Sequence, residues 1–416
     1  MAERLGILVG GGPAPGINGV IASAAIEATN AGLDVVGIYD GYQHLVQGDI
    51  SLVRPLRIDD VSRVHATGGS LLRTSRTNPA KDEATLARCI DALRALDLRY
   101  LVCIGGDDTT TGAAAIAERT RPWLGVVSVP KTIDNDLPLP DNAPTFGFET
   151  ARSVGTALVT NLMEDARTAS RWYLAVTMGR RSGSLALGIC KAAGATLAVI
   201  PEEFHEDHVD LSLLVDTIVG AVIKRRATHR DFGVAVVAEG LIEKLTPRDL
   251  AALPGVTRDA YDNVRLADIP IGFVLRDAVR RRLAELGLDE TVVHKDIGYE
   301  LRCAPPVPFD LDYTRTLGYG AVRYLVGGGS GALVALAGGR LVPVTLDELR
   351  DPQTGHIRVR LVDVTTESYQ VARSYMIRLE PEDVREPRAS TLAHEAGLRV
   401  DQLRAFDRLF APALAG

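Results

Sequence analysis

The stretch Val129-Pro130-Lys131-Thr132-Ile133-Asp134-Asn135-Asp136 puts an ammonium, a hydroxyl and two carboxylates at the point where an apolar run ends. Side chains of those types, so close together, suit the transfer of a proton or the handling of a charged group rather than packing. The preceding residues, Leu124 to Val129, are largely apolar and rich in valine, which predicts a buried parallel strand. In open α/β sheets ligands lie beyond the carboxyl ends of strands, so Asp134 and Asp136 are expected to face a cleft. Asp-Asn-Asp also forms turns for reasons of backbone alone, and on this segment by itself that reading stays open.

A second cluster follows an earlier strand pattern. Tyr100 to Ile104 runs into Gly105-Gly106-Asp107-Asp108-Thr109-Thr110 and then an alanine-rich helical stretch. Two glycines allow close backbone approach to a ligand, and the start of a helix offers unpaired N–H groups to an anion. An acid at that place can hold Mg²⁺ against phosphate oxygens. A third loop of this kind opens the chain, where Leu5 to Val9 leads into Gly10-Gly11-Gly12-Pro13-Ala14-Pro15-Gly16. It lacks the ribose-binding acid of a dinucleotide fingerprint, and its prolines stiffen it. Three anion-facing loops in one sheet are hard to explain by structure alone.

The elements that must position these loops alternate. Asp34 to Asp40 reads as a strand and Asp82 to Asp97 as a helix, with Leu86, Ile90, Leu93 and Leu96 at helical spacing. A helix over Glu149 to Thr168 leads to a strand at Trp172 to Val176 and the loop Met178-Gly179-Arg180. A helix at Ser184 to Ala193, a strand at Thr196 to Ile200, a helix at Leu211 to Arg226 and a strand at Phe232 to Ala238 ending at Glu239 form a second α/β unit. A helix near Leu275 to Leu286 follows, and the region from Arg385 reads as helical. The expected fold is therefore α/β, with two Rossmann-like three-layer domains and mostly parallel sheets.

At 416 residues and 46% apolar content the chain can fill two cores. A net charge of −7, with basic runs no longer than Lys224-Arg225-Arg226 and Arg280-Arg281-Arg282, argues against nucleic acid or a membrane surface as partner. No apolar run approaches the ~20 residues of a spanning helix, and the start lacks a signal-peptide pattern, so a cytoplasmic protein is expected. Cys89, Cys103, Cys190 and Cys303 have neither metal-ligand nor redox spacing and read as buried thiols. His205 and His208 come nearest to a ligand pair, but Glu202 to His208 reads better as an exposed loop.

In order and combination, Gly11-Gly12, Gly105-Gly106-Asp107, Thr132-Ile133-Asp134-Asn135-Asp136 and Met178-Gly179-Arg180 resemble the phosphofructokinase family, from the first loop to about Tyr375. A Gly-Gly-Asp loop alone also occurs in other phosphotransferases; the combination is what is specific. Within the family, Asp108 and Lys131 resemble the pyrophosphate-dependent branch, since ATP users typically carry glycine after the metal-site acid and commonly glycine before the Thr-Ile-Asp-Asn-Asp segment. A carboxylate at 108 repels the α-phosphate of a nucleotide, and an ammonium at 131 suits a short, densely charged donor. Lysine at 131 also occurs among ATP users, so the pair carries the signal. Pro13, where an acid is usual, and Tyr299 to Phe309 fit the same branch.

The resemblance implies an enzyme that moves a phosphoryl group from pyrophosphate to the 1-hydroxyl of fructose 6-phosphate, reversibly, in glycolysis or gluconeogenesis, with Mg²⁺ as cofactor. An ATP-dependent phosphofructokinase is the alternative, sedoheptulose 7-phosphate a second acceptor, and a noncatalytic paralogue is disfavoured by the presence of Asp107 and Asp134. By resemblance Asp134 is the general base, aided by Asp136; Thr132 and Arg76 stabilise the moving group; and Asp107 holds the metal. Gly11, Gly12, Asp108 and Lys131 face the donor. Met178, Gly179, Arg180, Glu239, Tyr299 and Arg302 form the sugar site, Arg302 as the 6-phosphate ligand. Arg171 matches a position that reaches the sugar phosphate of a neighbouring subunit, which implies a homodimer or homotetramer; Lys295 is a weaker candidate. Residues 1–145 with about 304–345 are expected to form a donor-binding domain, and 146–303 with about 346–416 a sugar-phosphate-binding one, the active site lying in the cleft between them.

Overall fold

The computed structural model describes residues 2–204, 206–253, 269–349, 351–353 and 357–410. His205 lies outside them. The chain begins with strand β1 (Arg4–Val9), helix α1 (Ile17–Asn30), β2 (Asp34–Ile38) and the short β3 (Val53–Pro55). Next come α2 (Glu83–Ala95), β4 (Tyr100–Gly105), α3 (Asp107–Thr120), β5 (Gly125–Pro130) and the long α4 (Phe148–Ala169). A second run follows: β6 (Trp172–Thr177), α5 (Ser184–Ala193), β7 (Leu197–Val199), α6 (Leu211–Arg226), β8 (Gly233–Ala238), α7 (Ile271–Glu285) and β9 (Val292–Ile297). Then α8 (Pro308–Val326) precedes a hairpin of β10 (Ala332–Ala337) and β11 (Arg340–Thr345), and short helices close the chain.

Two compact units result: Met1–Ser153 with Tyr299–Arg360, and Val154–Gly298 with Leu361–Gly416. Both are discontinuous. The chain re-enters the first unit at Tyr299 rather than near 304 and leaves it after Arg360 rather than near 345, so Tyr299 and Arg302 belong with the first sheet.

The first unit holds a seven-stranded sheet in the order β11-β10-β5-β4-β1-β2-β3. Its inner strands are parallel; β3 and β11 pair antiparallel at the two edges. Side chains alternate across the sheet with period two. Leu5, Ile7, Val9, Val102, Ile104 and Val127 fall on one face against Ile17, Val20 and Ile21 of α1 and Leu317 and Val322 of α8. Leu8, Leu101, Cys103 and Val126 fall on the other, against Leu86, Cys89 and Leu93 of α2 and Ile116 of α3. This is the three-layer arrangement expected. From β1 the order runs one way to β2 and the other way to β4 and β5, so the crevice that binds ligands in such sheets opens at the carboxyl ends of β1 and β4.

The second unit has a four-stranded parallel sheet, β7-β8-β6-β9. Its central strands β6 and β8 are wholly buried, which matches their unbroken apolar composition. Among the described residues no helix is long and apolar enough to cross a membrane.

Candidate active site

In the first unit three loops leave adjacent strands and are bonded to one another. The amide of Gly10, after β1, donates to the Ile104 carbonyl of β4 at 2.9 Å. Lys131, after β5, donates its amide to Gly105 at 2.9 Å. The buried Thr109 side chain packs so closely on Gly10 and Gly105 that a Cβ at either position would collide with it. Glycines at these places are therefore needed for the loops to meet at all.

Lys131 is the least expected feature. It is a lysine with only 4% of its surface exposed, and its ammonium donates to the Gly12 carbonyl. Thr74 Oγ1 donates to the Gly11 carbonyl at 2.6 Å. Gly11 has φ +83°, and a Cβ there would stand 3.1 Å from the Lys131 ammonium, so geometry and space both call for glycine. The first loop is thus held by its carbonyls. The Gly11 amide, expected to serve a phosphate, already donates to Ser75 at 2.8 Å. Of the two amides expected to serve a phosphate, that of Gly11 is therefore already engaged within the fold. Ser75 also pairs with Gly10, which carries the exposed Arg76 to the side of the loop.

Asp107 and Asp108 occupy the first turn of α3, both exposed, where the helix dipole favours negative charge. Among the described residues no three His, Cys, Asp or Glu side chains form a metal cage. Mg²⁺ does not require one: it is commonly held by one or two carboxylates together with phosphate oxygens. A solvent-facing carboxylate at Asp107 fits that use.

The Thr132 hydroxyl accepts the Asp134 amide at 3.0 Å, which leaves its own hydrogen to donate elsewhere. Asp134 and Asp136 are half-buried and flank Asn135, whose φ of +56° is left-handed. The Asn135 side chain accepts the Thr145 amide at 3.1 Å, while Thr145 Oγ1 donates to the Thr132 carbonyl at 2.8 Å, closing the loop on itself. Where this loop runs into α4, the buried Asp310 of α8 accepts the amides of Gly147 and Thr150, each at 2.8 Å, and the Thr150 hydroxyl at 2.6 Å. Burial pushes the Asp310 carboxyl up, and those three donors pull it back.

Tyr299 and Arg302 sit in a short helix of this same unit. The Arg302 guanidinium lies 5.1 Å over the Tyr299 ring. It also lies 3.5 Å from where a Cβ on Gly12 would stand. The structure thus brings Arg302 beside the first glycine loop.

In the second unit Met178, Gly179 and Arg180 follow β6, and Glu239 follows β8, its neighbour in the sheet. One Glu239 oxygen accepts the amides of Gly179 at 3.2 Å and Arg180 at 3.0 Å. A Cβ on Gly240 would collide with the Arg180 carbonyl, so the turn needs glycine there. Arg180 is exposed. Glu202 steadies the far end of the loop by accepting the Gly183 amide at 2.8 Å and the Val362 amide at 3.0 Å. Arg171 is not part of this group. It precedes β6, about 20 Å along the strand from Met178. Its guanidinium lies 3.8 Å from Asp165.

Two residues that hold the first unit's loops had no sequence signal of their own. Asp310 lies in the first turn of α8 and Arg360 in an irregular stretch; both meet the loop region only through the fold.

The phosphofructokinase family model matches residues 4–325. The chain is 56% identical over 392 residues to the pyrophosphate–fructose 6-phosphate 1-phosphotransferase of Thermotoga maritima, covering 93% of each. It is 50% identical over 388 residues to the protein of the same name from Naegleria fowleri, covering 91% of this chain and 89% of that one. The solved phosphofructokinase of Saccharomyces cerevisiae has the same fold, with a TM-score of 0.67 at 21% identity over 97% of this chain, which spans about half, 48%, of the yeast chain. With a family match over most of its length and relatives this similar, the chain belongs to the phosphofructokinase family.

Proposed function

We propose that this protein transfers a phosphoryl group from pyrophosphate to the 1-hydroxyl of fructose 6-phosphate, giving fructose 1,6-bisphosphate and phosphate, and that it runs in either direction. The observation that carries the donor assignment is the buried Lys131 ammonium under the Gly11-Gly12 loop, together with the exposed Asp108 carboxylate at the start of α3. An ammonium beside the glycine loop suits a small, highly charged donor. A carboxylate at 108 disfavours the longer polyphosphate of a nucleotide by repulsion. The names of the two similar relatives point to the same donor.

Asp134 accepts the proton of the attacking hydroxyl, and Asp136 assists it. Thr132 donates to the transferring group, while Arg76 and the Gly12 amide balance its charge, since phosphoryl transfer depends mainly on positioning and electrostatics. Asp107 would hold Mg²⁺, which when bound would supply positive charge to offset that of the phosphates. Met178, Gly179, Arg180 and Glu239 bind the sugar, and Arg302 with Tyr299 its phosphate. Arg171, at the opposite end of β6, serves the site of a neighbouring subunit in a homodimer or homotetramer. Free thiols and phosphorylated sugar substrates fit a cytoplasmic enzyme.

The test is product balance. Purified protein with Mg²⁺, pyrophosphate and fructose 6-phosphate should yield one fructose 1,6-bisphosphate per inorganic phosphate released. Bisphosphate formed only with ATP would replace this reading with that of a nucleotide-dependent kinase.

A further inference from the structure

The loop carrying Asp134 and Asp136 is held in shape from a distant part of the chain. Arg360 spends its whole side chain there. Its Nε donates to the Asn135 carbonyl at 2.9 Å, one terminal nitrogen donates to the Ala143 carbonyl at 2.8 Å, and the other donates to the Asn135 side-chain oxygen. Its own amide donates to the Asp136 carbonyl at 2.7 Å. All four acceptors are neutral and all lie between residues 135 and 143.

The consequence is local and geometric. Asn135 is left-handed, a conformation that an L-residue adopts at a cost and keeps only where its surroundings fix it. Arg360 grips both the carbonyl and the side chain of that residue. Asp134 and Asp136 stand on either side of Asn135, so a change at its backbone would re-aim both carboxylates together. The guanidinium is also largely withdrawn from water: burial lowers its pKa, and the nearby Asp136 carboxylate opposes that shift. Its charge therefore acts on the Asp136 carboxylate with less screening than a fully exposed charge would have.

We infer that Arg360 is a positioning residue for phosphoryl transfer, clamping Asn135 so that Asp134 and Asp136 present their carboxylates in the geometry the reaction needs. The inference rests on the proposed roles of those two aspartates. It requires Arg360 itself to touch neither substrate, and the guanidinium's hydrogen bonds are those of a brace: every acceptor named belongs to the loop it holds.

The test compares Arg360→Met and Arg360→Lys with the unmodified full-length protein in the pyrophosphate and fructose 6-phosphate assay. Misaligned reacting groups cost about 10²-fold in rate, so Arg360→Met should lose that much kcat with both KM values within about threefold. Arg360→Lys, with charge but without the planar fork, should recover only part of it. Added guanidinium ion should rescue Arg360→Met saturably. Unchanged kcat in a folded Arg360→Met protein, or a rise in KM alone, would overturn the inference. If Arg360→Met does not fold, Arg360→Lys decides: reduced kcat at unchanged melting temperature supports the clamp, and unchanged kcat refutes it. An unmodified protein that makes no bisphosphate from pyrophosphate would remove the proposed reaction and the inference with it, which separates that failure from an active enzyme indifferent to residue 360.

Discussion

The glycine loop after β1 and the Met178-Gly179-Arg180 loop after β6 solve the same problem with opposite charges. In the first unit cationic and hydroxyl donors, Lys131 and Thr74, seize loop carbonyls. In the second, the Glu239 carboxylate seizes loop amides. The first arrangement sets a buried ammonium under the loop. The second pairs two backbone donors with an acid, and Arg180 of that loop is exposed. Under the proposed function, the sign of the group beneath each strand-end loop sets which ligand that loop favours.

That contrast can be broken in order of expected effect. The largest change should come from Asp134, which neither loop can replace. Asp134→Ser should lower kcat by ~10²–10⁴-fold with little change in either KM, as steady-state kinetics would show. Near-normal turnover would remove Asp134 from the chemistry.

Lys131→Met should come next. A charge-assisted hydrogen bond is worth about 1.5–3 kcal/mol, so kcat/KM for pyrophosphate should fall by roughly 10–100-fold, with the KM for fructose 6-phosphate nearly unchanged. Glu239→Gln should do the reverse on a smaller scale, raising the KM for fructose 6-phosphate by about tenfold and sparing pyrophosphate. Should either variant affect both substrates equally, the division of labour between the loops would be wrong.

The smallest effect concerns the thiols. Burial pushes Cys89, Cys103 and Cys190 up to about 12, whereas Cys303 is exposed. Only thiolate reacts quickly, so a thiol reagent at neutral pH should label one cysteine per native chain, Cys303. Because Cys303 follows Arg302, labelling should raise the KM for fructose 6-phosphate modestly and leave that for pyrophosphate alone. Rapid labelling of two or more thiols would contradict the burial of Cys89, Cys103 and Cys190.

Most of the loops were legible because each follows a strongly apolar strand and carries glycine, acid or another charged residue within its first few positions, a pattern written within a dozen residues. Strands that break this pattern were not. β9 carries His294, Lys295 and Asp296 along an edge with partly exposed residues, so its sequence does not look like a buried parallel strand. β3 is only three residues long, and β11, the outer strand of the β10–β11 hairpin, is mostly exposed or half-buried at one edge of the sheet. Long-range contacts were equally hidden. Arg360 meets Asn135 across 225 residues of chain, and nothing near Val359-Arg360-Leu361 announces a partner. The Gly11 amide illustrates a subtler limit: sequence shows that a glycine loop can offer N–H groups, but only the fold shows which of them Ser75 has already taken.

The central claim is the donor, and the most direct measurement is initial rate with pyrophosphate against ATP at saturating fructose 6-phosphate and Mg²⁺, for the unmodified protein and for Asp108→Gly. The account predicts turnover with pyrophosphate and background with ATP for the unmodified protein, and weak ATP turnover in Asp108→Gly at some cost to the pyrophosphate rate. Efficient use of ATP by the unmodified protein would contradict it.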